Sequence, residues 1–395
     1  YEVGWCDWSS DVCSSDLSRT PDAWNRTEYR PLEGFVFAVT PFNFTAIGGN
    51  LPTAPAMAGN VVVWKPAGTA VLSNYHLMRV LEEAGMPAGV INFVPSRGST
   101  IGEVVFNHPS FAGLHFTGST STFNEMWRLI GENQSKSVYR NYPRLVGETG
   151  GKDFVFACPD ADPVPLAVAL VRGSFEYQGQ KCSAASRAYL PASLWPKVKG
   201  MMGEMLAKIK IGDVADFTNY LGAVIDEASF KNISSYIDFA RNSSEAKIVF
   251  GGTCDKSKGW FVQPTVIETT NPKFKLMAEE IFGPVLTVYV YDDAKLDEAV
   301  ALVDTTSPYA LTGAVFGKDR ALLDSVSGRL RYAAGNFYIN DKPTGAVVGQ
   351  QPFGGGRSSG TNDKAGSPLN LLRWVTPRTV KETLTPPRSF EYPFM

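Results

Sequence analysis

A cysteine at position 182 stands in a setting that suits covalent catalysis. It lies in Gly-Gln-Lys-Cys-Ser at 179–183, directly after a segment with helical patterning, and its neighbours are small or polar. A thiol at the point where a helix gives way to a loop can be a solvent-reachable thiolate, which is the nucleophilic form. A single cysteine is more often a small hydrophobic residue of the core, so Cys182 needs chemical partners before it is taken as a nucleophile.

Two further residues have side chains that such a nucleophile requires. Glu148 lies among glycines, in Gly-Glu-Thr-Gly-Gly at 147–151, where a carboxylate can deprotonate a water molecule. The alternative for Glu148 is an exposed loop carboxylate. Asn43 carries an amide that can stabilise an oxyanion. Each residue alone favours a structural explanation, but Cys182, Glu148 and Asn43 together form a nucleophile, a base and an oxyanion donor.

The segments that position these residues predict an α/β protein with a parallel sheet wrapped by helices. From residue 35 onward, short β-branched runs alternate with longer amphipathic segments. The predicted strands cover 35–39, 61–64, 90–94 and 113–116, and the predicted helices cover 46–57, 69–84, 100–106 and 120–132. This is a doubly wound unit of the size that binds a dinucleotide.

A second α/β unit is predicted after the glycine pair at 150–151. Its predicted elements are a helix over 163–177, a strand over 186–190, a long helix from 194 to 209 with a core-facing apolar stripe, and strands over 247–250, 285–291, 311–316 and 335–339. A glycine-rich loop at 349–360 leads into residues 375–384, which could pair as an edge strand with another subunit. The predicted domains are therefore 18–150 for the dinucleotide, 151–348 for catalysis, and a tail over 349–395.

Residues that follow the strands are candidates for binding the dinucleotide, because ligands of open α/β sheets bind beyond the carboxyl ends of the strands. Thr40 follows the first strand, and Lys65 ends the second, from where it can reach ribose hydroxyls or phosphate. The start of a helix offers N–H groups and a positive dipole end to a pyrophosphate. The candidates there are Gly118, Ser119, Thr120, Ser121 and Thr122. A hydroxyl cluster before a helix is more often only an N-cap, and a lysine is more often a surface charge.

Composition excludes several classes of protein. The 395 residues are 44% hydrophobic and 19% charged with a formal net charge of −2, which is typical of a globular protein of two or three domains without a nucleic-acid-binding patch. No apolar run reaches the length of a membrane span. Five cysteines without regular spacing predict neither a disulfide framework nor a metal site, and they favour a reducing compartment.

Residues 7–17 resemble the read-through translation of a common sequencing adapter, so residues 1–17 are expected to be a non-native lead. The alternative is a genuine disordered leader rich in serine and aspartate. On the first hypothesis Cys6 and Cys13 have no role, and the native sequence begins near Ser18 without its original N-terminus.

From about residue 18 to the C-terminus the chain resembles an aldehyde dehydrogenase, and most closely the NAD-dependent glutamate-semialdehyde (1-pyrroline-5-carboxylate) dehydrogenases of proline breakdown. The motifs that carry the resemblance are the oxyanion segment Thr-Pro-Phe-Asn-Phe at 40–44, the lysine motif Trp-Lys-Pro-Ala at 64–67, the pyrophosphate turn Phe-Thr-Gly-Ser at 116–119, the base motif Glu-Thr-Gly-Gly-Lys at 148–152, the nucleophile motif at 179–183 and Glu-Glu-Ile-Phe-Gly-Pro at 279–284. The resemblance implies an α/β fold with a Rossmann-like cofactor domain, a catalytic domain and a C-terminal oligomerisation tail.

The resemblance also implies roles for residues outside the catalytic set. Glu280 would bind the nicotinamide ribose, with Phe282 beside the nicotinamide ring. In the segment 340–355, which is similar to the subfamily's anchor loop, backbone N–H groups would hold the carboxylate of the substrate. The implied anchor residues are Gly345 and Ala346, with help from the hydroxyl of Ser183, and the implied aromatic walls are Phe44 and Phe353.

The implied function is the NAD-dependent oxidation of L-glutamate γ-semialdehyde to L-glutamate through a thiohemiacetal and a thioester on Cys182. The implied partners are a small semialdehyde with a carboxylate and further copies of the chain, without nucleic acid, metal or membrane. Eukaryotic members imply the mitochondrial matrix, and the alternative location is the cytoplasm. The alternatives are a dehydrogenase for another semialdehyde such as succinate semialdehyde, an enzyme limited to ester hydrolysis, and a catalytically silent, truncated structural or binding homologue.

Overall fold

The computed structural model describes residues 16–20, 22–347, 349–392 and 394–395. Cys6, Cys13 and the part of the adapter-like segment before residue 16 lie outside the described residues. The elements up to residue 148, in chain order, are β1 (Asp16–Thr20), β2 (Ala23–Pro31), β3 (Phe35–Val39), α1 (Thr45–Met57), β4 (Val61–Lys65), α2 (Val71–Glu83), β5 (Ile91–Phe93), α3 (Gly98–Phe106), β6 (Phe111–Thr117), α4 (Thr120–Ser135) and β7 (Arg144–Glu148).

The elements after residue 148 begin with another strand and alternate in the same way. In chain order they are β8 (Asp153–Ala157), α5 (Pro163–Phe175), β9 (Ala185–Pro191), α6 (Trp195–Leu206), α7 (Glu227–Arg241), β10 (Ala246–Phe250), β11 (Cys254–Asp255), β12 (Phe261–Val262), β13 (Thr265–Thr269), α8 (Lys275–Ala278), β14 (Val285–Tyr291), α9 (Leu296–Thr305), β15 (Tyr309–Ala310), β16 (Thr312–Phe316), α10 (Arg320–Arg329), β17 (Asn336–Ile339), β18 (Gly356–Arg357), α11 (Pro368–Leu371) and β19 (Val375–Thr383).

The first large sheet is parallel, with the strand order β5-β4-β3-β6-β7. Both faces of β3 are buried. Successive side chains of a strand point to opposite sides, so neighbouring residues of β3 pack in different clusters. Val36 and Ala38 pack in one hydrophobic cluster, and Phe37 and Val39 pack in another. The central strands therefore end together at one edge, where the candidate cofactor residues follow them.

The second large sheet has the order β10-β13-β14-β9-β8-β16-β17, and its neighbouring strands are parallel except for β10 with β13. β8 is buried on both faces, with Phe154 and Phe156 in one cluster and Val155 and Ala157 in the other. The apolar stripe predicted along the helix after residue 194 packs against the second of these clusters, so its assignment to the core is confirmed.

Several predicted boundaries are wrong by a few residues. The helix predicted over 163–177 is α5, which ends at Phe175 because Tyr177 adopts a left-handed backbone conformation with φ 57°. The helix predicted to 209 is α6, which ends at Leu206. Glu148 is the last residue of β7 and is partly buried, so the alternative of an exposed loop carboxylate is wrong. The domain boundaries at 17, 150 and 348 stay predictions.

The C-terminal segment forms an edge strand within this chain. β19 pairs antiparallel with β2 in the small sheet β1-β2-β19, from Val375 opposite Pro31 to Thr383 opposite Ala23. Pairing of β19 with another subunit stays a prediction. Among the helices that the structure describes, none combines the length and apolar character that a membrane crossing requires.

His115 in β6 makes the stability of the fold depend on pH. It is fully buried, and a nitrogen of its ring donates to the carbonyl oxygen of Leu51 at 2.8 Å. Burial lowers the pKa of His115 from 6.5 to about 4. The unfolded chain therefore binds more protons than the folded chain between these two pKa values, and stability falls as the pH falls through this window.

We expect His115 to cost the folded state about 2 kcal/mol of unfolding free energy between pH 8 and pH 5. Urea unfolding of the wild type and of His115→Gln at both pH values measures this cost, since the advantage of the wild type should shrink by that amount at pH 5. An equal difference between the two proteins at pH 8 and pH 5 would show that protonation of His115 is not coupled to unfolding.

Candidate active site

The structure brings the segments of the three candidate catalytic residues together. Asn43 lies beyond the end of β3 and is buried, and its amide nitrogen donates to the carbonyl oxygen of Gln180 at 3.1 Å. Gln180 is two residues before Cys182, in the loop between α5 and β9. A Cβ on Gly151 would lie 2.4 Å from the carbonyl oxygen of Cys182, so the turn after Glu148 is in contact with the same loop. The catalytic roles of Asn43, Cys182 and Glu148 stay predictions.

A strained turn carries Cys182 away from the end of α5. Tyr177, Gln178 and Gly179 have φ angles of 57°, 58° and 63°, and a Cβ on Gly179 would lie 2.4 Å from the carbonyl oxygen of Gly283. Left-handed backbone costs energy for residues other than glycine and persists only where the surroundings hold it. Here the side chain of Gln178 accepts a hydrogen bond from the N–H of Gly222 at 3.1 Å.

The thiol of Cys182 is partly exposed, and burial raises its pKa above that of an ordinary cysteine. Three carboxylates raise this pKa further, those of Asp153, Glu148 and Glu280. The neighbouring ammonium of Lys181 donates a hydrogen bond to Glu176 at 3.1 Å. Burial and these carboxylates thus favour the thiol form of Cys182, and the reactive thiolate stays a prediction.

Glu148 is partly buried, with its carboxylate directed at the glycine-rich loop. Its Oε1 lies 2.9 Å from the position that a Cβ on Gly354 would take, and its Oε2 has no hydrogen-bond partner among the described residues. Burial raises the pKa of Glu148 well above its usual value, while the nearby ammonium of Lys364 opposes that shift. A carboxylate with a raised pKa and one free oxygen is suited to accept a proton from water.

Glu280 packs against the glycine turn that follows Glu148. Its Oε1 accepts a hydrogen bond from the N–H of Gly151 at 3.0 Å, and a Cβ on Gly150 would lie 2.2 Å from its Oε2. Burial raises the pKa of Glu280 to about 7, against the effects of that hydrogen bond and of Lys152. A larger residue at 150 would therefore displace this carboxylate. The base motif at 148–152 and the motif at 279–284 are in direct contact.

Phe282, two residues after Glu280, also has a left-handed backbone, with φ 57°. Its ring contacts that of Phe42 edge-to-face, with 5.8 Å between the ring centroids. The segment after β3 and the segment before β14 therefore meet next to Glu280. Contact of Glu280 and Phe282 with a nicotinamide stays a prediction.

Two of the groups predicted for the pyrophosphate are used within the chain. The hydroxyl of Ser119 accepts the N–H of Thr122 at 3.2 Å and so caps α4, which was the alternative explanation of this cluster. The N–H of Gly118 is not free, because it donates to the carbonyl oxygen of Glu148 at 3.2 Å. Gly118 and Ser119 therefore shape the turn, and any contact with a cofactor would add to these bonds.

The start of α4 nevertheless fits an anion. No acidic residue lies in the first turn, and within the described part of the chain no acceptor takes the N–H groups of Thr120 and Ser121. The hydroxyl of Thr120 donates to the carbonyl oxygen of Ser358 at 3.0 Å, which fixes this end of the helix against the glycine-rich loop. Open N–H groups at a helix start are suited to a pyrophosphate.

Thr40 and Lys65 lie side by side at the ends of β3 and β4. Thr40 is buried; its hydroxyl accepts a hydrogen bond from the indole of Trp64 at 3.0 Å, and its N–H donates to the carbonyl oxygen of Lys65 at 3.2 Å. Thr40 is therefore tied to the sheet. The ammonium of Lys65 has no hydrogen-bond partner among the described residues, and partial burial lowers its pKa. Lys65 remains the better candidate for a bound ribose or phosphate.

The predicted carboxylate anchor comes together around a hydroxyl pair. The hydroxyls of Ser183 and Thr344 are 2.8 Å apart, and both residues are buried. Gly345 has φ 88°, a conformation that favours glycine. Among the described residues no acceptor takes the N–H groups of Gly345 and Ala346. Two adjacent free N–H groups beside a hydroxyl are the donors that a carboxylate needs.

The predicted aromatic walls lie in different contacts. The ring of Phe44 is stacked on that of Tyr177, with 5.4 Å between centroids and 12° between the planes. Phe353 is fixed by its backbone, which exchanges hydrogen bonds of 2.9 and 2.8 Å with Ala365. In the described part of the chain no ring contact joins Phe44 to Phe353, so their role as walls of a substrate pocket stays a prediction.

Sequence reasoning missed several residues of this site. Lys364 lies beside Glu148 and donates to the carbonyl oxygen of Gly354 at 3.0 Å. Lys152 is fully buried, with an ammonium that has no hydrogen-bond partner among the described residues. Lys152 could have been found, because it is part of the base motif at 148–152. Tyr177 and Lys364 carry no such signal.

No cluster of three metal-ligating His, Cys, Asp or Glu side chains occurs within the described residues. The three described cysteines are free thiols, and Cys158 lies in the core, whereas Cys254 is partly exposed at β11.

The chain is similar to known proteins over nearly all of its length. The sequence pattern of the aldehyde dehydrogenase family matches residues 5–380. The delta-1-pyrroline-5-carboxylate dehydrogenase of Dictyostelium discoideum mitochondria is 57% identical over 94% of this chain and 67% of its own length. The human mitochondrial protein of the same name is 50% identical over 95% of this chain and 66% of its own length. The chain thus spans about two thirds of the length of these curated relatives.

Two solved structures share the fold. The delta-pyrroline-5-carboxylate dehydrogenase from Mycobacterium tuberculosis, bound with NAD, has a TM-score of 0.91 and 50% identity, and the match covers 96% of this chain and 69% of that one. The 1-pyrroline-5-carboxylate dehydrogenase from Thermus, also with bound NAD, has a TM-score of 0.85 and 34% identity, with coverage of 93% and 69%.

Proposed function

The chain belongs to the aldehyde dehydrogenase family, and from this premise we propose that it oxidises L-glutamate γ-semialdehyde, the open form of 1-pyrroline-5-carboxylate, to L-glutamate with NAD. The relatives at 50–57% identity that carry the name delta-1-pyrroline-5-carboxylate dehydrogenase support the substrate. The observation that carries the proposal is the contact of three segments at Cys182. Asn43 bonds Gln180 at 3.1 Å on one side, and Gly151 approaches the Cys182 carbonyl on the other.

Attack on the aldehyde begins at a thiol. Burial and three carboxylates raise the pKa of Cys182. Because the thiol is partly exposed, its proton passes to solvent water as the sulfur bonds to the carbonyl carbon. The amide of Asn43 is held at the nucleophile loop, where it can donate to the developing oxyanion together with the N–H of Cys182. This attack gives a tetrahedral thiohemiacetal on Cys182.

NAD, when bound, accepts the hydride from the former aldehyde carbon, which leaves a thioester on Cys182. The residues suited to hold this cofactor are Lys65, whose ammonium has no hydrogen-bond partner among the described residues, the first turn of α4 for the pyrophosphate, and Glu280 with Phe282 before β14 of the second sheet. Gly150 leaves the space that Glu280 occupies, and the N–H of Gly151 donates to its carboxylate.

Hydrolysis of the thioester requires a base that is not already paired. Glu148 has a free Oε2 and a pKa raised by burial, so it can accept a proton from the attacking water. The nearby ammonium of Lys364 favours the charged form of Glu148. The products are then glutamate and the restored thiol of Cys182.

The test of the proposed function is NADH formation by the chain as written. With NAD and 1-pyrroline-5-carboxylate we expect a rise in absorbance at the NADH band and a higher kcat/KM than with succinate semialdehyde. A higher kcat/KM for succinate semialdehyde would move the assignment to that substrate. Ester hydrolysis without NADH formation would leave only the acyl-transfer half of the reaction. The absence of both activities would indicate a silent homologue.

Two further expectations, on location and on oligomeric state, accompany this proposal. The mitochondrial relatives support a mitochondrial location, and the edge strand β19 is a surface on which a second copy could pair. Light scattering gives the number of chains in the particle, and a monomer would contradict the homo-oligomer.

A further inference from the structure

Lys342 lies at the turn that carries the carboxylate anchor. Its ammonium donates to the carbonyl oxygen of Thr344 with a distance of 3.2 Å. The same ammonium lies 3.0 Å from the position that a Cβ on Gly345 would take, so it contacts the turn directly. An ammonium has three N–H donors, and Thr344 uses one of them. A positive charge with donors to spare therefore lies beside the free N–H groups of Gly345 and Ala346.

Glu176 is an anion close to Lys342, but it does not neutralise it. Its Oε2 is 3.9 Å from the Lys342 ammonium, which is an ion pair but beyond hydrogen-bond distance. The same carboxylate takes hydrogen bonds from Arg172 at 2.8 Å and from Lys181 at 3.1 Å. Asp341 is exposed, and its carboxylate accepts the backbone N–H of Lys342. The net charge at this turn is positive, because three cations lie near two carboxylates. The cations are Arg172, Lys181 and Lys342, and the carboxylates are Glu176 and Asp341.

The position of Lys342 is also fixed relative to the nucleophile. The carboxylate that it shares takes a hydrogen bond from Lys181, the residue directly before Cys182. The hydroxyl of Thr344 is 2.8 Å from that of Ser183, the residue directly after Cys182. These two links tie the anchor turn to the residues that precede and follow Cys182 in the sequence.

We propose that Lys342 is a specificity-determining residue, whose ammonium supplies a charged donor to the carboxylate at the far end of the substrate, beside the N–H groups of Gly345 and Ala346. The inference rests on the proposed function, because it takes the substrate to be a semialdehyde with a carboxylate. A charge-assisted hydrogen bond contributes more to binding than a bond from a neutral donor. An aldehyde without a carboxylate gains nothing from Lys342.

The test compares two aldehydes in the wild type, Lys342→Met and Lys342→Arg. For Lys342→Met we expect kcat/KM to fall roughly 10- to 100-fold more for glutamate semialdehyde than for butanal, with the loss mainly in KM. Lys342→Arg keeps the charge and should recover part of the lost preference. Equal losses for both aldehydes would mean that Lys342 only supports the fold, and no loss for either would also overturn the proposal.

Lys197→Met is the matched control, because Lys197 is an exposed lysine of α6 outside this network. It should leave the preference unchanged. Calorimetric binding of glutarate provides a readout that does not need oxidation. If the wild type oxidises neither aldehyde, the proposed function fails, yet weaker glutarate binding by Lys342→Met still supports the role of Lys342. Equal glutarate affinity in both proteins would refute that role.

Discussion

Replacement of Cys182 by alanine is expected to abolish aldehyde oxidation, with a fall in kcat of roughly 10⁴-fold or more, because the proposed covalent intermediate forms on the sulfur of Cys182. Alanine fits the site, since it only removes the sulfur. Binding of NAD should persist, because the cofactor candidates Lys65 and the start of α4 belong to the other sheet. Steady-state NADH formation and calorimetric titration with NAD measure the two properties separately.

Cys254 offers a matched control for this experiment. It is also a free, partly exposed cysteine, but it lies in the two-stranded sheet of β11 and β12. Cys254→Ala should keep full turnover. Substantial residual oxidation by Cys182→Ala would refute the assignment of the nucleophile, and loss of NAD binding would show that the change disturbs the cofactor site.

Replacement of Glu148 by glutamine is expected to slow hydrolysis of the thioester by about 10²- to 10³-fold, with much less effect on hydride transfer. A rapid-mixing experiment should then show a burst of NADH close to one per active site, followed by slow turnover. Glutamine keeps the shape of the side chain, so the packing against Gly354 is retained. Equal slowing of the burst and of the steady state would contradict a purely basic role for Glu148.

The same variant has a pH signature. Burial raises the pKa of Glu148 well above its usual value, so only part of the wild-type enzyme holds the base form at a given acidic pH. Hydrolysis by the wild type should therefore speed up as the pH rises through that raised pKa. Glu148→Gln should lack this rise, whereas loss of Lys364 by Lys364→Met should move it to higher pH, since Lys364 favours the charged form.

The sequence predicted the strands of the two large sheets better than the way in which their loops meet. β3 and β14 were predicted at their observed bounds, because β-branched and aromatic runs of five to seven residues are buried on both faces. β13 was missed, and so were α9 and α10. These elements carry apolar residues whose spacing is clear only once the partners that bury them are known.

The candidate site shows the same limit. Asn43, Glu148 and Cys182 could be named from residue type and from their glycine-rich settings, but their convergence depends on contacts between separate segments, such as that of Asn43 with Gln180, 137 residues apart. Local spacing cannot predict such contacts. It also cannot predict that Lys181 pairs with Glu176. That pairing depends on the turn after α5, where Tyr177 departs from the helix.

The pairing of β2 with β19 has a consequence for synthesis of the chain on the ribosome. Ala23 and Thr383 are neighbours in the small sheet but about 360 residues apart in sequence, so β2 is translated long before its partner strand. Until β19 emerges, one edge of β2 is open to other chains, and the nascent protein is exposed to misassembly. Slower translation or a shortage of chaperones should therefore reduce the yield of folded protein more than the yield of folded α/β units alone.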